Sequence, residues 1–136
     1  MNNVLLNMRK LTVKRIEAIR LESSVTLAGI LTTPKEIIFS SSNKPLIVSS
    51  YYDFKAAEAA LGCPVYQLAE PPKAERYLEV LSDLDAEMVL ALGWYFLIPG
   101  KVRRSVNGGC LGIHGSLLPK YRGMSPVTWV LINGER

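Results

Sequence analysis

A single histidine, His114, is the residue in this sequence best suited to acid–base chemistry. An apolar run that predicts a buried strand leads into it, and a loop rich in turn-forming residues, 115–123, follows it. A strand end would give the imidazole a rigid mount, and an unperturbed histidine, with a pKa near ~6.5, exchanges a proton close to neutral pH. A lone histidine is more often structural, so His114 by itself predicts no particular reaction.

The sequence offers little for metal or disulfide chemistry. Its two cysteines, Cys63 and Cys110, are too few for a disulfide framework and lack the spacing of metal ligands. We therefore expect two buried thiols and no metal site.

Positive charge is concentrated in the second half of the chain. The formal net charge is +4, and no carboxylate occurs between Glu87 and Glu135. The basic residues of that stretch are Lys101, Arg103, Arg104, Lys120 and Arg122. This half would attract an anionic ligand, although an ordinary solvated basic face has the same composition. Nucleic acid is supported by charge alone, because no RNA-binding motif is present.

Length and composition predict one globular domain, residues 1–136. The hydrophobic share is 49%, the charged share is 21%, and no apolar run approaches the ~18 residues of a membrane span. The N-terminal segment lacks the apolar core and cleavage site of a signal peptide. We therefore expect a cytoplasmic protein without membrane contact.

Apolar runs typical of strands alternate with helical patterns, which predicts an α/β fold around a largely parallel sheet. The predicted strands are 3–8, 25–31, 64–68, 88–92 and 110–114, and the predicted helices are 11–23, 54–61, 71–84 and 125–133. Residues 40–43 predict a turn, followed by an apolar run at 46–48. The run 88–92 is apolar enough for a fully buried central strand, so its end at Gly93 is a candidate ligand site.

The first strand-to-helix turn, residues 7–10, contains no glycine. A dinucleotide cradle or a nucleoside triphosphate loop needs a glycine-rich turn so that the backbone can approach phosphate. Both kinds of site are therefore excluded at this turn, and a ligand is expected elsewhere along the carboxyl ends of the strands.

Two longer strings carry a family resemblance. CLGIHGSLLPKYRG at 110–123, followed by SPVTWVLINGE at 125–135, resembles the signature of the formyltransferase family. That family includes methionyl-tRNA formyltransferase, glycinamide ribonucleotide transformylase and the nucleotide-linked aminosugar formyltransferases. The segment GWYFLIP at 93–99 is similar to the stretch that lines the family's folate pocket. The resemblance implies a Rossmann-like α/β domain, the N-terminal folate-binding domain of such an enzyme, incomplete on its C-terminal side.

The resemblance also implies a reaction. The formyl donor would be 10-formyltetrahydrofolate, and His114 would be the catalytic histidine that handles the proton while an amine attacks the formyl carbon. Negative charge develops on the formyl oxygen in such a transfer, so the site needs a donor aimed at that oxygen and a base for the incoming amine.

The family pattern assigns further residues to the two ligands. The cofactor-binding positions it implies are Trp94, Tyr95, Phe96, Leu97, Ile98, Leu117, Leu118, Pro119 and Met124. The substrate-binding positions are Ser116, Lys120 and Arg122. The alternative is that the aromatic trio at 94–96 is ordinary packing and that residues 121–123 only hold the loop in place.

Three features depart from the family pattern. Gly112 stands at a catalytic position where the family has Asn, whose amide stabilises the oxyanion; losing one such donor typically costs ~10²–10³ in rate unless Ser116 or a water replaces it. The family also uses an Asp downstream of the histidine, whereas this sequence has no Asp after Asp85. Met124 replaces an Arg of the aminosugar relatives, which would weaken anion recognition. The sequence thus predicts either an active formyltransferase or a catalytically inactive formyltransferase-like binding or assembly module.

The implied partners are a folate and an amine on an anionic substrate. The loop sequence, with Trp129 and the later Asn-Gly-Glu, is most similar to the aminosugar enzymes, and methionyl-tRNA is the less favoured acceptor. Because late strands of the family domain are missing, we expect an exposed apolar sheet edge or face. That surface predicts self-association or pairing with a second chain that completes the fold.

Overall fold

A five-stranded parallel sheet forms the centre of the computed structural model, which describes residues 2–7, 12–21, 25–38, 44–48, 51–69 and 71–135. The strands, in chain order, are β1 (Asn2–Asn7), β2 (Thr26–Thr32), β3 (Glu36–Ile37), β4 (Leu46–Ile47), β5 (Val65–Gln67), β6 (Met88–Leu92) and β7 (Cys110–Gly112). The described helices are α1 (Thr12–Leu21), α2 (Glu58–Leu61), α3 (Ala74–Asp83), α4 (Gly100–Arg103) and α5 (Pro126–Ile132). The predicted Rossmann-like α/β architecture is confirmed.

The strand order β5-β2-β1-β6-β7 changes direction at the middle of the sheet. β1 pairs with β2 on one side and with β6 on the other, so the chain builds outward to β5 and then returns for β6 and β7. In open parallel sheets, ligands bind at such a reversal, in the crevice outside the carboxyl ends of the strands. A ligand site is therefore expected beyond the ends of β1, β6 and β7.

Buried side chains cover both faces of the sheet. Successive residues of a strand point to opposite faces, and Ile30 and Leu31 of β2 accordingly belong to different clusters. The cluster on the side of α3 and α4 consists of Val4, Leu31, Leu68, Tyr77, Val80, Leu81, Val89, Val102 and Val106. The cluster on the side of α1 and α2 consists of Ile16, Ile30, Phe54, Leu61, Cys63, Val65 and Leu92. This two-sided core holds the ends of β1 and β6 in place.

The antiparallel pair β3–β4 lies beside the segment that follows β6. Ile37 and Val48 are buried there and pack with Tyr51 and with the aromatic residues 94–96. The pair therefore supports the aromatic segment from outside the main sheet.

Most predicted elements occur close to their predicted bounds, but two strands differ. β6 is not a fully buried central strand: β1 is central, and only Val89 and Leu92 of β6 are buried. The strand predicted over 110–114 ends at Gly112, which leaves His114 in the loop. Cys63 is the buried thiol that was predicted, whereas Cys110 is only half-buried because β7 is the last described strand at its edge of the sheet.

The helical predictions also need correction. The helix predicted over 54–61 is confined to α2: residues 54–57 form a turn in which the Glu58 amide bonds the Lys55 carbonyl oxygen, three residues earlier, at 3.3 Å. Gly62 ends α2 in a left-handed conformation, as predicted. α4 was not predicted, and the turn predicted at 40–43 lies outside the described residues. No helix among the described residues is long and apolar enough to cross a membrane.

Candidate functional site

An open cleft of about 480 Å³ lies where β6 and β7 end. The two strands are paired in parallel, with Ala91 opposite Gly112, so the segments that follow them leave the sheet side by side. The cleft is lined by Ala91, Gly93, Trp94, Phe96, Leu97, Ile98, Arg103, Cys110, Leu111, Gly112, Ile113, His114, Leu118 and Gly123. The walls are mostly apolar with a few polar groups, which is the usual composition of a small-molecule site.

His114 is a half-buried side chain in this cleft. The preceding residue, Ile113, still donates its amide to the carbonyl oxygen of Ala91 at 3.4 Å, which ties the segment to β6. The imidazole Nε2 lies 3.1 Å from the carbonyl oxygen of Tyr121. Because a carbonyl only accepts hydrogen bonds, this contact requires the proton on Nε2 and leaves the Nδ1 lone pair of the neutral ring available. His114 therefore has the form of a base held in one tautomer.

The loop that returns from His114 is held by internal hydrogen bonds. The Ser116 hydroxyl donates to the carbonyl oxygen of Lys120 at 2.8 Å and lies 3.3 Å from that of Tyr121. The Lys120 amide donates to the carbonyl oxygen of Leu117 at 3.0 Å, and the Leu118–Pro119 peptide bond is cis. Ser116 is thus engaged with the loop itself.

Glu135, which comes after α5 in the chain, contacts the same loop through its carboxylate. Glu135 pairs with the Lys120 ammonium at 2.5 Å and accepts a hydrogen bond from the Tyr121 hydroxyl at 2.5 Å. Lys120, followed by Tyr121, lowers the pKa of Glu135, while Glu135 raises the pKa of both Lys120 and Tyr121. The charge of Lys120, predicted to meet substrate, is therefore partly neutralised within the chain.

The aromatic side of the cleft is anchored in the core. Trp94 donates a hydrogen bond from Nε1 to the hydroxyl of Tyr77 at 3.1 Å, and its ring meets those of Tyr77 and Phe96 edge to face. Tyr77 is buried, which raises the pKa of its hydroxyl well above the ordinary range. Trp94 thus packs on the core and also lines the cleft.

Arg103 is the cleft residue that sequence reasoning missed. Its guanidinium donates to the carbonyl oxygen of Ile98 at 2.8 Å, which ties the last residue of α4 to the segment 93–99. Arg103 partly offsets the effect of burial, which raises the pKa of the Cys110 thiol. The basic run at 101–104 was visible in the sequence, but only the fold shows which of its members reaches the cleft.

Gly112 has no side chain, and it lies beside Ala91 of β6. A Cβ built there would lie 3.5 Å from the carbonyl oxygen and 3.7 Å from the Cβ of Ala91, which is ordinary van der Waals contact. The site therefore has room for a side chain at Gly112, but the glycine supplies no side-chain donor.

The cleft brings together seven of the sequence-predicted residues: Trp94, Phe96, Leu97, Ile98, Gly112, His114 and Leu118. The other seven lie outside its lining: Tyr95, Ser116, Leu117, Pro119, Lys120, Arg122 and Met124. Leu117 is 90% exposed, and Tyr95 packs with Ile37 and Val48 beside β3 and β4. Among the described residues, no three His, Cys, Asp or Glu side chains gather in a way that could hold a metal ion.

Apolar side chains are exposed around β7 and α5. They are Leu111, Ile113, Leu117, Leu118, Met124, Val127, Trp129, Leu131 and Ile132. We call these exposed residues of β7, α5 and the loop between them the β7–α5 surface; large exposed apolar patches on soluble proteins often mark interaction sites.

Residues 10–136 match the sequence model of the family named Formyl transferase. Methionyl-tRNA formyltransferase of Synechococcus elongatus (strain ATCC 33912 / PCC 7942 / FACHB-805) is 45% identical over 87 residues, which are 60% of this chain and 25% of that protein. Methionyl-tRNA formyltransferase of Thermodesulfovibrio yellowstonii is 33% identical over 84 residues, which are 62% of this chain and 27% of that protein. The match thus spans about a quarter of the length of these curated relatives.

Solved structures share the fold. Phosphoribosylglycinamide formyltransferase from Anaplasma phagocytophilum aligns with a TM-score of 0.71 at 21% identity, over 98% of this chain and 58% of that one. Glycinamide ribonucleotide transformylase 1 from Geobacillus kaustophilus aligns with a TM-score of 0.73 at 16% identity, over 98% of this chain and 68% of that one. At these identities the similarity establishes the architecture and carries no assignment of substrate.

Proposed function

This chain belongs to the formyl transferase family, and on that premise we propose that its cleft binds 10-formyltetrahydrofolate for formyl transfer to an amine of an anionic substrate. In this reaction the amine nitrogen bonds to the formyl carbon, the bond from that carbon to N10 of the folate breaks, and a proton passes from the amine to N10. Members of the family take their formyl group from this donor.

The contact between His114 Nε2 and the Tyr121 carbonyl oxygen, inside the cleft, is the observation that carries the proposal. The hydrogen bond from Nε2 to the Tyr121 carbonyl oxygen leaves Nδ1 as the nitrogen that can accept a proton from the attacking amine. The same imidazole, once protonated, can return the proton to the leaving nitrogen. One group at the end of β7 therefore suffices for the proton transfer.

The cleft walls suit the flat, partly apolar ring system of a folate. Trp94 and Phe96 form an aromatic wall, and Ile98 presents backbone groups beside them. The Ile98 carbonyl oxygen already accepts from Arg103, but a carbonyl oxygen has a second lone pair for a ligand donor. Tyr95, Leu117, Pro119 and Met124 would contribute only from outside the cleft lining.

Charge near the cleft suits anionic ligands. Arg103 lines the cleft and is a candidate partner for the carboxylates of a folate tail, while Arg122 is exposed on the loop beyond His114. Ser116 and Lys120, predicted for substrate, make their contacts within the loop and to Glu135, so Arg122 is the better candidate for a substrate phosphate.

The acceptor class is an amine carried by a phosphate-bearing molecule. The loop sequence favours a nucleotide-linked aminosugar, and the curated relatives reported above are named for methionyl-tRNA. Both acceptors combine a reactive amine with phosphate, so the basic half of the chain fits either one.

A second candidate function is an inactive formyltransferase-like binding or assembly module. Gly112 supplies no side-chain donor where the family has Asn, so one expected contact to the developing oxyanion is absent. Such a module would bind folate without transferring formyl, or would keep only the fold. The exposed β7–α5 surface is the feature through which it would assemble.

A turnover assay separates the two candidates. The chain would be incubated with 10-formyltetrahydrofolate and either a nucleotide-linked aminosugar or methionyl-tRNA, and release of tetrahydrofolate would be followed by absorbance. The proposal predicts release that requires an acceptor and is lost in His114→Ala. Folate binding without release for either acceptor would assign the inactive module instead.

A further inference from the structure

Glu135 is the only carboxylate that follows Glu87 in the sequence, and it lies three residues after the end of α5. Its carboxylate contacts both the Lys120 ammonium and the Tyr121 hydroxyl at 2.5 Å. Lys120 also lies over the Tyr121 ring, with its ammonium 5.3 Å from the ring centroid. The three side chains form one cluster, which we call the Glu135 cluster, and it links the end of α5 to the loop that follows His114.

The backbone at the centre of this cluster is strained. Tyr121 has a φ of 53°, a left-handed conformation that residues with a Cβ seldom adopt. Such a conformation persists only when surrounding contacts hold it. The Tyr121 side chain is held by the Glu135 cluster, while its carbonyl is contacted by His114 and Ser116, so the cluster is the restraint that acts on Tyr121 through its side chain.

The strained residue is the one that binds the histidine. The carbonyl oxygen of Tyr121 accepts the hydrogen bond from His114 Nε2 at 3.1 Å, and it is also approached by the Ser116 hydroxyl at 3.3 Å. If the Tyr121 backbone relaxed, its carbonyl would turn away and the imidazole would lose the contact that fixes its tautomer.

A second contact ties the beginning of the loop to the same helix. The backbone of Gly115 lies so close to Pro126 that a Cβ at Gly115 would be 3.3 Å from the Pro126 Cγ. α5 therefore touches the loop just after His114, while Glu135 touches it at Tyr121. The loop is thus contacted near both of its ends, by the beginning of α5 and by Glu135.

We propose that Glu135 is a positioning residue for His114: it holds Tyr121 so that the Tyr121 carbonyl keeps the imidazole proton on Nε2 and leaves Nδ1 free. The catalytic meaning of this arrangement rests on the proposed function, but the arrangement itself does not. Glu135 would thus orient the histidine from the side of α5, through Tyr121.

The test uses the fact that His114 is the only histidine in the chain. Diethylpyrocarbonate acylates a ring nitrogen that carries a lone pair, and the absorbance of the acylated imidazole reports His114 alone. While Nε2 holds the proton, only Nδ1 can react, and Nδ1 is hindered by the adjacent Cβ. Releasing the Tyr121 contact makes the less hindered Nε2 reactive, so the rate rises by about three- to tenfold, the change expected on losing one hydrogen bond.

Rates would be measured for the unmodified chain, Glu135→Ala, Tyr121→Phe and the control Glu79→Ala. Glu79 forms an exposed ion pair with Arg76 at 2.7 Å on α3. Glu79→Ala therefore removes one negative charge, as Glu135→Ala does, at a site away from the loop that follows His114. Circular dichroism would establish that each variant is folded, and Tyr121→Phe carries the test if Glu135→Ala does not fold.

Faster acylation in Glu135→Ala and Tyr121→Phe, with an unchanged rate in Glu79→Ala, is the expected result. Equal rates in all four proteins would overturn the proposal, and so would an equal rise in the control, which would indicate general loosening. The reaction contains no folate, so a failure to bind folate would count against the proposed function and leave this result unaffected.

Discussion

Gly112 of β7 lies opposite Ala91 of β6, and a Cβ built on the glycine would meet the Ala91 carbonyl oxygen at 3.5 Å. This is an ordinary contact distance, and the space beside it belongs to the cleft that contains His114. The position therefore has room for a side chain, and the chain places none there.

We predict that Gly112→Asn increases formyl transfer. An amide at this position would donate to the negative charge that develops on the formyl oxygen, and one such donor is typically worth ~10²–10³ in rate. The control is Gly112→Ala, which adds the Cβ without the donor. The kcat of both variants would be compared with that of the unmodified chain; an Asn variant no faster than the Ala variant would show that oxyanion stabilisation is not what the site lacks.

Tyr77→Phe should destabilise the chain by about 1 kcal/mol. The substitution removes the acceptor for Trp94 Nε1 and leaves a donor on the core side of the cleft without its partner. Urea denaturation would measure the loss, with Tyr52→Phe in the other core cluster as the matched control. An unchanged free energy of unfolding would mean that the Trp94 contact adds nothing to the stability of the fold.

Tyr77→Phe should also change how the free energy of unfolding depends on pH. Burial raises the pKa of Tyr77 above the value of ~10 that it has in the unfolded chain, so the folded state binds this proton more tightly. Its contribution to stability is complete below pH ~10 and is lost as the pH rises above that value. The free energy of unfolding should therefore fall less steeply above pH ~10 in Tyr77→Phe than in the unmodified chain.

Arg103→Gln should weaken folate binding by about tenfold, and more at low salt than at high salt, because Arg103 lines the cleft. Arg104→Gln is the control, since it removes the same charge from the next residue, which lies outside the cleft lining. Calorimetry at two salt concentrations would measure both. Equal effects of the two substitutions would mean that Arg103 acts only through the overall positive charge of the protein and not through a contact with the folate.

The β7–α5 surface should make the protein self-associate. Trp129, Leu131 and Ile132 of α5 are each more than half exposed, and burying them against a second copy removes apolar area from water. Light scattering over a wide concentration range should show a mass that grows with concentration, and Leu131→Glu should reduce this growth. A monomeric mass at every concentration would contradict the prediction.

The sequence predicted the sheet well because its strands are marked by apolar runs between turn residues. Gly62 and Gly93 end their elements with left-handed backbone, which glycine adopts without strain. The prediction was wrong for 54–57, where hydrogen bonds between residues three apart close a turn before α2 begins. It also misjudged β6, because strand order, and hence burial, depends on long-range pairing that periodicity does not contain.

The candidate site was only half predictable for a similar reason. A motif identifies His114 and the 94–98 segment, but it does not say which side chains of a loop point inward. Lys120 pairs with a carboxylate fifteen residues later, and Arg103 reaches the cleft only because α4 turns back towards Ile98. Both facts depend on tertiary contacts.

Titration of the stable 5-formyl analogue of the donor into the protein, followed by calorimetry, tests the central claim that this cleft holds a folate. The control variants are Phe96→Arg, which places a charge in the aromatic wall, and Leu21→Arg, which makes the same kind of change at an exposed residue of α1. If the cleft holds a folate, binding should be saturable and one-to-one, and it should be lost in Phe96→Arg and kept in Leu21→Arg. No binding at millimolar ligand, or equal binding by both variants, would contradict it.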